Sequence, residues 1–155
     1  MQPSPFDAAP VAAARPALMA VLARAEPGEL HAALAALAPV PPVRDLRAPE
    51  VGLVMVRGRI GGDGAAFNLG EATVSRAAVR LDGGAAGFAY RLGRSVAAAR
   101  SAAILDALWQ DAGRREAVEA ALVPVRTRLA AEAAAVRAET AATRVDFFTL
   151  VRGED

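Results

Sequence analysis

The sequence predicts a single α+β domain: an antiparallel β-meander of three to four strands between an N-terminal helical hairpin and C-terminal helices, ending in a short extended tail. Three observations predict it. Leucines recur at helical spacing near the N-terminus, residues 43–92 alternate between apolar and polar types with glycine-rich turns, and a long alanine-rich helical pattern follows Ser95. At 155 residues the chain is long enough for one domain and short for two.

The first 14 residues, rich in proline and alanine, are predicted to be a flexible tail, which leaves residues 15–155 as the single domain. Pro16 suits the first turn of a helix that ends near Ala25. Pro27 then opens a second short helix, which the prolines from position 39 onward stop. The apolar positions that predict these two helices are Leu18, Met19, Val21, Leu22, Leu30, Leu34 and Leu37.

The middle of the chain is predicted to be the meander, with a bulge or bend near Gly70. A glycine turn at 61–64 separates its second and third strands, and the sequence Asp82-Gly83-Gly84 is a strong hairpin signal before the last strand. The predicted strands are Val43–Leu46 at the edge, where Pro49 limits pairing, then Val51–Ile60, Phe67–Leu81 and Ala86–Leu92.

The helical region begins at Ser95, a good N-cap, and its first helix is predicted to end at Gly113. The apolar stripe of that helix is Ile104, Leu105, Leu108 and Trp109. Pro124 opens a long helix with a narrow stripe formed by Leu122, Val125, Leu129 and Val136. A narrow stripe favours a helix–helix seam, so Leu129 and Val136 are candidate contacts with a partner.

Residue usage excludes several kinds of chemistry. All 18 basic residues are arginine, cysteine is absent, and His31 is the only histidine. The chain therefore lacks a Schiff-base or P-loop lysine, a thiol nucleophile and the ligands of a usual zinc site, so no catalytic residue and no metal site are predicted. His31 is interpreted as a surface or core-edge residue.

The net charge and the hydropathy of the chain limit the classes of partner that it is expected to bind. The net charge of +1 disfavours a nucleic-acid binder. No apolar stretch approaches the roughly 20 residues that span a bilayer, and no basic leader precedes an apolar run, so no membrane contact and a cytoplasmic location are expected.

Arginines recur along the meander, and arginines on one sheet face can clamp phosphates. Arg59 and Arg76 are the candidate phosphate ligands; an ordinary solvated or interface role is favoured for the set. The alternative left open is an autonomous enzyme that binds a phosphorylated ligand. The recurring arginines are Arg57, Arg59, Arg76, Arg80, Arg91 and Arg94.

The C-terminal segment Val145–Val151 is apolar and competent to form a strand. Chain ends fray unless they are tied down, so this segment is either a last core strand or an anchor in a partner. Phe147 and Phe148 would point to opposite sides of an extended strand, with Asp146 and Arg152 at the rim. These four residues are therefore candidate interface residues.

This same segment carries a resemblance: Thr143–Gly153 resembles the terminal signature of the PhnG family, a subunit family of the bacterial carbon–phosphorus lyase system. The segments Gly52–Gly64, Glu71–Leu81 and Ala103–Leu108 are also similar to that family. The resemblance covers about residues 19–153.

The resemblance implies an accessory, non-catalytic subunit of a multisubunit transferase in organic phosphonate catabolism. Such subunits work with PhnI-like, PhnH-like and PhnJ-like subunits and a PhnL-like ATPase. The complex displaces adenine from ATP by a phosphonate such as methylphosphonate, which gives alpha-D-ribose 1-methylphosphonate 5-triphosphate. ATP and the phosphonate are substrates of the complex, and no cofactor is implied in this chain.

Overall fold

The computed structural model describes residues 5–61 and 63–143, with side chains from residue 13 onward. The elements of these residues confirm the predicted α+β class and the antiparallel meander. They are α1 (Pro5–Arg24), α2 (Pro27–Ala36), β1 (Val43–Arg59), β2 (Ala66–Leu81), β3 (Ala86–Leu92), α3 (Val96–Gln110), α4 (Ala112–Ala121) and α5 (Val123–Ala142). The predicted tail segment Val145–Val151 lies outside the described residues.

The three strands pair in the order β1-β2-β3, each antiparallel to its neighbour. β1 pairs with β2 over almost its whole length, from Val43 opposite Leu81 to Arg59 opposite Ala66. β3 is much shorter, and its pairing with β2 begins only at Val74. Residues 53–61 and 63–73 therefore form a two-stranded extension, here called the arm, which projects past the end of β3.

The prediction of two separate strands before residue 60 is wrong, because β1 runs through Pro49 without a break. Register shifts between Asp45 and Arg47 and between Arg47 and Glu50 absorb the proline within bulges. An edge strand tolerates this, since proline lacks only an N–H that can face solvent. The bulge predicted near Gly70 is confirmed, because Gly70 and Asn68 pair with consecutive residues of β1.

The core lies between one face of the sheet and α3. Alternate residues of β2 point into it, and α1, α2 and α4 cover the remaining sides of α3. The predicted stripe of α3 is confirmed as buried, but the alanines of this helix are buried too, so α3 is central and not half-exposed. The buried side chains of β2 and α3 are Val74, Ser75, Ala77, Val79, Leu81, Ala98, Ala99, Ala102, Ala103, Ile104, Leu105, Asp106, Ala107, Leu108 and Trp109.

Two predicted helix boundaries are wrong. α1 begins at Pro5 instead of Pro16, because the alanines before Pro16 have the highest helix propensity and extend the helix upstream. α3 ends at Gln110, because Asp111 is extended and its carboxylate accepts a hydrogen bond from the Gly113 N–H, which starts α4. The division of the chain at residue 14 stays a prediction.

We expect Gly87→Ala to lower the free energy of unfolding by about 1–3 kcal/mol. A Cβ at Gly87 would overlap the Ala103 carbonyl oxygen and lie 2.7 Å from the Ala107 nitrogen, so β3 could no longer approach α3 as closely. Urea titration measures the change. Gly52→Ala is the matched control, because no atom lies within 4 Å of its added carbon. An equal effect of the two substitutions would contradict the close sheet–helix contact.

Candidate interaction surfaces

The arm exposes large apolar side chains on both of its faces. Leu53 is 62% exposed, Ile60 76% and Leu69 65%. Val54, Met55, Val56 and Phe67 are also exposed. An isolated two-stranded hairpin is only marginally stable in water, and a contiguous exposed apolar patch marks an interaction site. The exposed apolar side chains of the arm are therefore typical of a protein–protein contact surface.

The tip of the arm has the predicted glycine turn. Gly61 has a φ of 67°, which favours glycine, and the Arg59 guanidinium donates a hydrogen bond to the Gly64 carbonyl at 2.9 Å. Arg59 is thus engaged in closing the turn of its own hairpin.

Arg76 lies at the centre of the sheet, where its Nε donates a hydrogen bond to Glu50 Oε1 at 2.8 Å. Hydrogen bonds with Tyr90 and Glu50 raise the pKa of the Arg76 guanidinium, so it stays charged. Arg59 pairs opposite Ala66, ten residues before Arg76 along β2. The structure therefore separates the two phosphate-ligand candidates by roughly 30 Å and brings them to no common site.

Arg91, another meander arginine, points inward. Its buried guanidinium donates hydrogen bonds to the carbonyl oxygens of Leu22 and Ala25 at the C-terminal end of α1. Burial lowers the pKa of Arg91. Cations at this end of a helix satisfy its last carbonyls, so Arg91 is a structural cap of α1.

The predicted stripe of α5 divides between the core and the surface. Leu122 and Val125 are fully buried in this chain's own core, and Leu129 packs at its edge, whereas Val136 is 60% exposed. Leu129 shares a groove with Val21 of α1. The seam thus forms within the chain up to Leu129, and a partner contact of Leu129 or Val136 stays a prediction.

Arg128 ties α5 to the first two helices. Its guanidinium makes two hydrogen bonds of 2.7 Å to the carboxylate of Glu29 and one of 2.6 Å to Glu132. Glu29 also accepts from the Glu26 N–H at 2.7 Å, which completes the capping box of α2. The hydrogen bond from Arg128 lowers the pKa of Glu29 below its ordinary value of 4.5.

We expect Glu29→Gln to weaken the acid dependence of the melting temperature. Because the pKa of Glu29 is lower in the folded chain, its ion pair stabilises the fold fully above pH 4.5 and is lost as the pH falls through the folded value. The wild-type melting temperature should therefore fall more steeply below pH 4.5 than that of the variant. Glu116→Gln, on the exposed surface of α4, is the control. Parallel acid profiles for Glu29→Gln and the wild type would contradict this role of the pair.

A buried ion pair was not anticipated from the sequence. Asp106 of α3 is fully buried and accepts hydrogen bonds from Arg15 Nε at 2.8 Å, from Arg15 Nη2 at 2.6 Å and from the Phe88 N–H at 2.9 Å. This carboxylate joins α1, α3 and β3. The signal available in the sequence is an acidic residue within the apolar stripe, between Leu105 and Leu108.

The other candidate residues from the sequence lie on the surface or outside the described part of the chain. His31 is exposed, which confirms its surface interpretation. Asp146, Phe147, Phe148 and Arg152 lie outside the described residues. Within residues 5–61 and 63–143, no three histidine or acidic side chains cluster as metal ligands would, and no helix has the length and hydropathy of a membrane span.

Together these features define a small α+β domain with a projecting hairpin that exposes large apolar side chains. The chain belongs to the PhnG family: the family model described as phosphonate metabolism protein PhnG matches residues 13–153. A similar relative is "Alpha-D-ribose 1-methylphosphonate 5-triphosphate synthase subunit PhnG" of Rhizobium meliloti (strain 1021). It is 58% identical over 137 residues, which cover 88% of each chain. The resemblance seen in the sequence is confirmed.

Proposed function

We propose that this chain is a non-catalytic subunit of an alpha-D-ribose 1-methylphosphonate 5-triphosphate synthase and acts in organic phosphonate catabolism. The support is the 58% identity to a subunit of that name along 88% of the chain. At this identity a fold and its contact surfaces are normally retained.

The exposed apolar surface of the arm is the observation that carries the proposal. Its large side chains are aliphatic or aromatic and offer no acid, base or nucleophile, so they contribute contact instead of chemistry. Burying one such side chain stabilises an interface by about 1.5–3 kcal/mol. Several of them on one hairpin suit an obligate contact, which resembles a domain core divided between two chains.

The partners are PhnI-like, PhnH-like and PhnJ-like subunits together with a PhnL-like ATPase, which assemble in the cytoplasm. ATP and a phosphonate are the substrates of this complex, and the chain itself needs no cofactor. The alternative of an autonomous phosphate-binding enzyme is not supported, because Arg59 closes its own turn and lies far from Arg76.

Purification of the tagged chain from phosphate-starved cells of its own organism tests the proposal. We expect the other subunits to be recovered with it in fixed stoichiometry. Recovery of the chain alone, as a monomer or homodimer, would contradict the proposal. Truncation after Thr143 in the same experiment tests the separate prediction that the C-terminal segment is an anchor, since wild-type recovery would then exclude that role.

A further inference from the structure

The sheet has a second face, turned away from α3, on which the described residues place no helix across the strands. On β2 this face carries Arg76, Ala78 and Arg80, because Ala77, Val79 and Leu81 are buried and point to the core. Strand register places Arg44 opposite Arg80, Arg47 opposite Ala78 and Glu50 opposite Arg76 on β1, with Phe88 and Tyr90 opposite Ala78 and Arg76 on β3. We call this set the open face. It comprises Arg44, Arg47, Glu50, Arg76, Ala78, Arg80, Phe88 and Tyr90.

Positive charge dominates the open face. Arg47 and Arg76 share one carboxylate, Glu50, at 3.3 and 2.8 Å. Arg44 and Arg80 are direct cross-strand neighbours and line one cavity with Asp82, yet neither forms an ion pair with any side chain that the structure describes. Like charges directly opposite each other destabilise a sheet. This cost is offset when an external carboxylate lies between the two guanidinium groups.

Aromatic rings lie beside these arginines. Phe88 and Tyr90 are each about half exposed, and they line a shallow cavity with Arg47 and Arg76. α1 borders only the outer edge of the face, where the Arg15 guanidinium lies 5.9 Å from the centre of the Phe88 ring. Half-exposed aromatic side chains next to arginines are the residue types that dominate binding energy at protein interfaces.

The spacing of the charges indicates the kind of ligand. Arg76 and Arg80 are four residues apart on one strand, a span of roughly 13 Å. A single phosphate between the paired Arg44 and Arg80 leaves Arg76 and the aromatic rings uncovered, whereas an extended peptide with acidic and apolar side chains covers that whole distance. A nucleic acid is disfavoured by the net charge of +1 on the whole chain.

We propose that the open face binds an acidic segment of a partner subunit, with its carboxylates between Arg44 and Arg80 and an apolar side chain against Phe88 and Tyr90. The inference rests on the proposed function, because it assigns a second contact of the same subunit. The two surfaces differ in chemistry, because the arm is an apolar contact whereas the open face selects a partner by charge.

Photo-crosslinking in the native complex tests the proposal. A photoreactive phenylalanine analogue replaces Tyr90 in the tagged full chain, with Glu116 on α4 as the control position. We expect a crosslink from position 90 to a segment of a synthase subunit rich in Asp and Glu. A crosslink to a neutral or basic segment or to nucleic acid, or no crosslink in an assembled complex, overturns the inference. Recovery of the chain without any synthase subunit instead overturns the proposed function and, with it, this inference.

Arg44→Glu provides a second test in which unfolding cannot imitate the result. This substitution places a carboxylate opposite Arg80, so the melting temperature should be maintained or raised. Affinity for the partner subunits should nevertheless fall about tenfold or more. We expect the affinity of the wild type to fall between about 0.1 and 0.5 M NaCl, and the affinity of the variant to lose this salt dependence. Arg94 is an exposed arginine after β3, and Arg94→Glu should leave the affinity and its salt dependence unchanged. Wild-type affinity of Arg44→Glu overturns the proposal.

Discussion

Replacing Asp106 by alanine should lower the free energy of unfolding by about 3–5 kcal/mol, the largest effect expected of a single substitution in this chain. The carboxylate is fully buried and accepts hydrogen bonds from Arg15 and from the backbone of Phe88. Its removal leaves the Phe88 N–H without its acceptor and the half-buried Arg15 guanidinium, 27% exposed, without its carboxylate. It also removes the polar link that α1 and β3 share with the central helix, while their apolar packing on it remains.

Trp109 is a suitable reporter of this loss. It is the only tryptophan, it is buried, and its indole N–H donates to Glu119 at 2.7 Å, so unfolding changes its fluorescence. Asp106→Asn should give an intermediate loss, because an amide oxygen can still accept from Phe88. Glu116→Ala, on the surface, should stay within about 0.5 kcal/mol of the wild type. A loss below about 1 kcal/mol for Asp106→Ala would show that the ion pair does not hold these elements together.

The double substitution Leu53→Ser with Leu69→Ser in the arm should weaken assembly with the partner subunits by at least about a hundredfold. Two apolar side chains buried in an interface contribute roughly 3 kcal/mol or more together, and 1.4 kcal/mol corresponds to tenfold in Kd. Both leucines are exposed in the chain itself, so its melting temperature should hardly change. The effect is thus separated from folding.

Titration of the labelled chain with the co-expressed partner subunits measures this affinity. Val123→Ser removes an exposed apolar side chain from α5 and is the matched control, with wild-type affinity expected. If the arm variant assembles as tightly as this control, the arm faces solvent in the complex and the subunit must be held elsewhere.

Local signals in the sequence were sufficient for the elements whose ends depend on a few neighbouring residues. Ala86–Leu92 was predicted with its observed bounds because a glycine hairpin precedes it, and Ser95 caps α3 as predicted. Pro27 likewise opens α2. The start of α1 is not predicted correctly, because the helix propensity of its alanines sets where it begins and no capping residue marks that point.

Features that depend on distant pairing could not be predicted in this way. The contact between Asp106 and Arg15 joins residues 91 positions apart. The arm exists because β3 is shorter than the strands it follows, a relation that alternation within one strand cannot reveal. Alternation normally indicates one buried face, so the exposure of both Leu53 and Val54 becomes evident only once the sheet is assembled.

The measurement that tests the central claim most directly is phosphonate-dependent release of adenine from ATP. We expect none from the purified chain alone. The co-purified PhnI-like, PhnH-like and PhnL-like subunits should release adenine much more slowly without this chain, and its addition should restore the rate. The account would be contradicted by adenine release from the isolated chain that Arg59→Ala or Arg76→Ala abolishes, or by a full rate from the partner subunits in its absence.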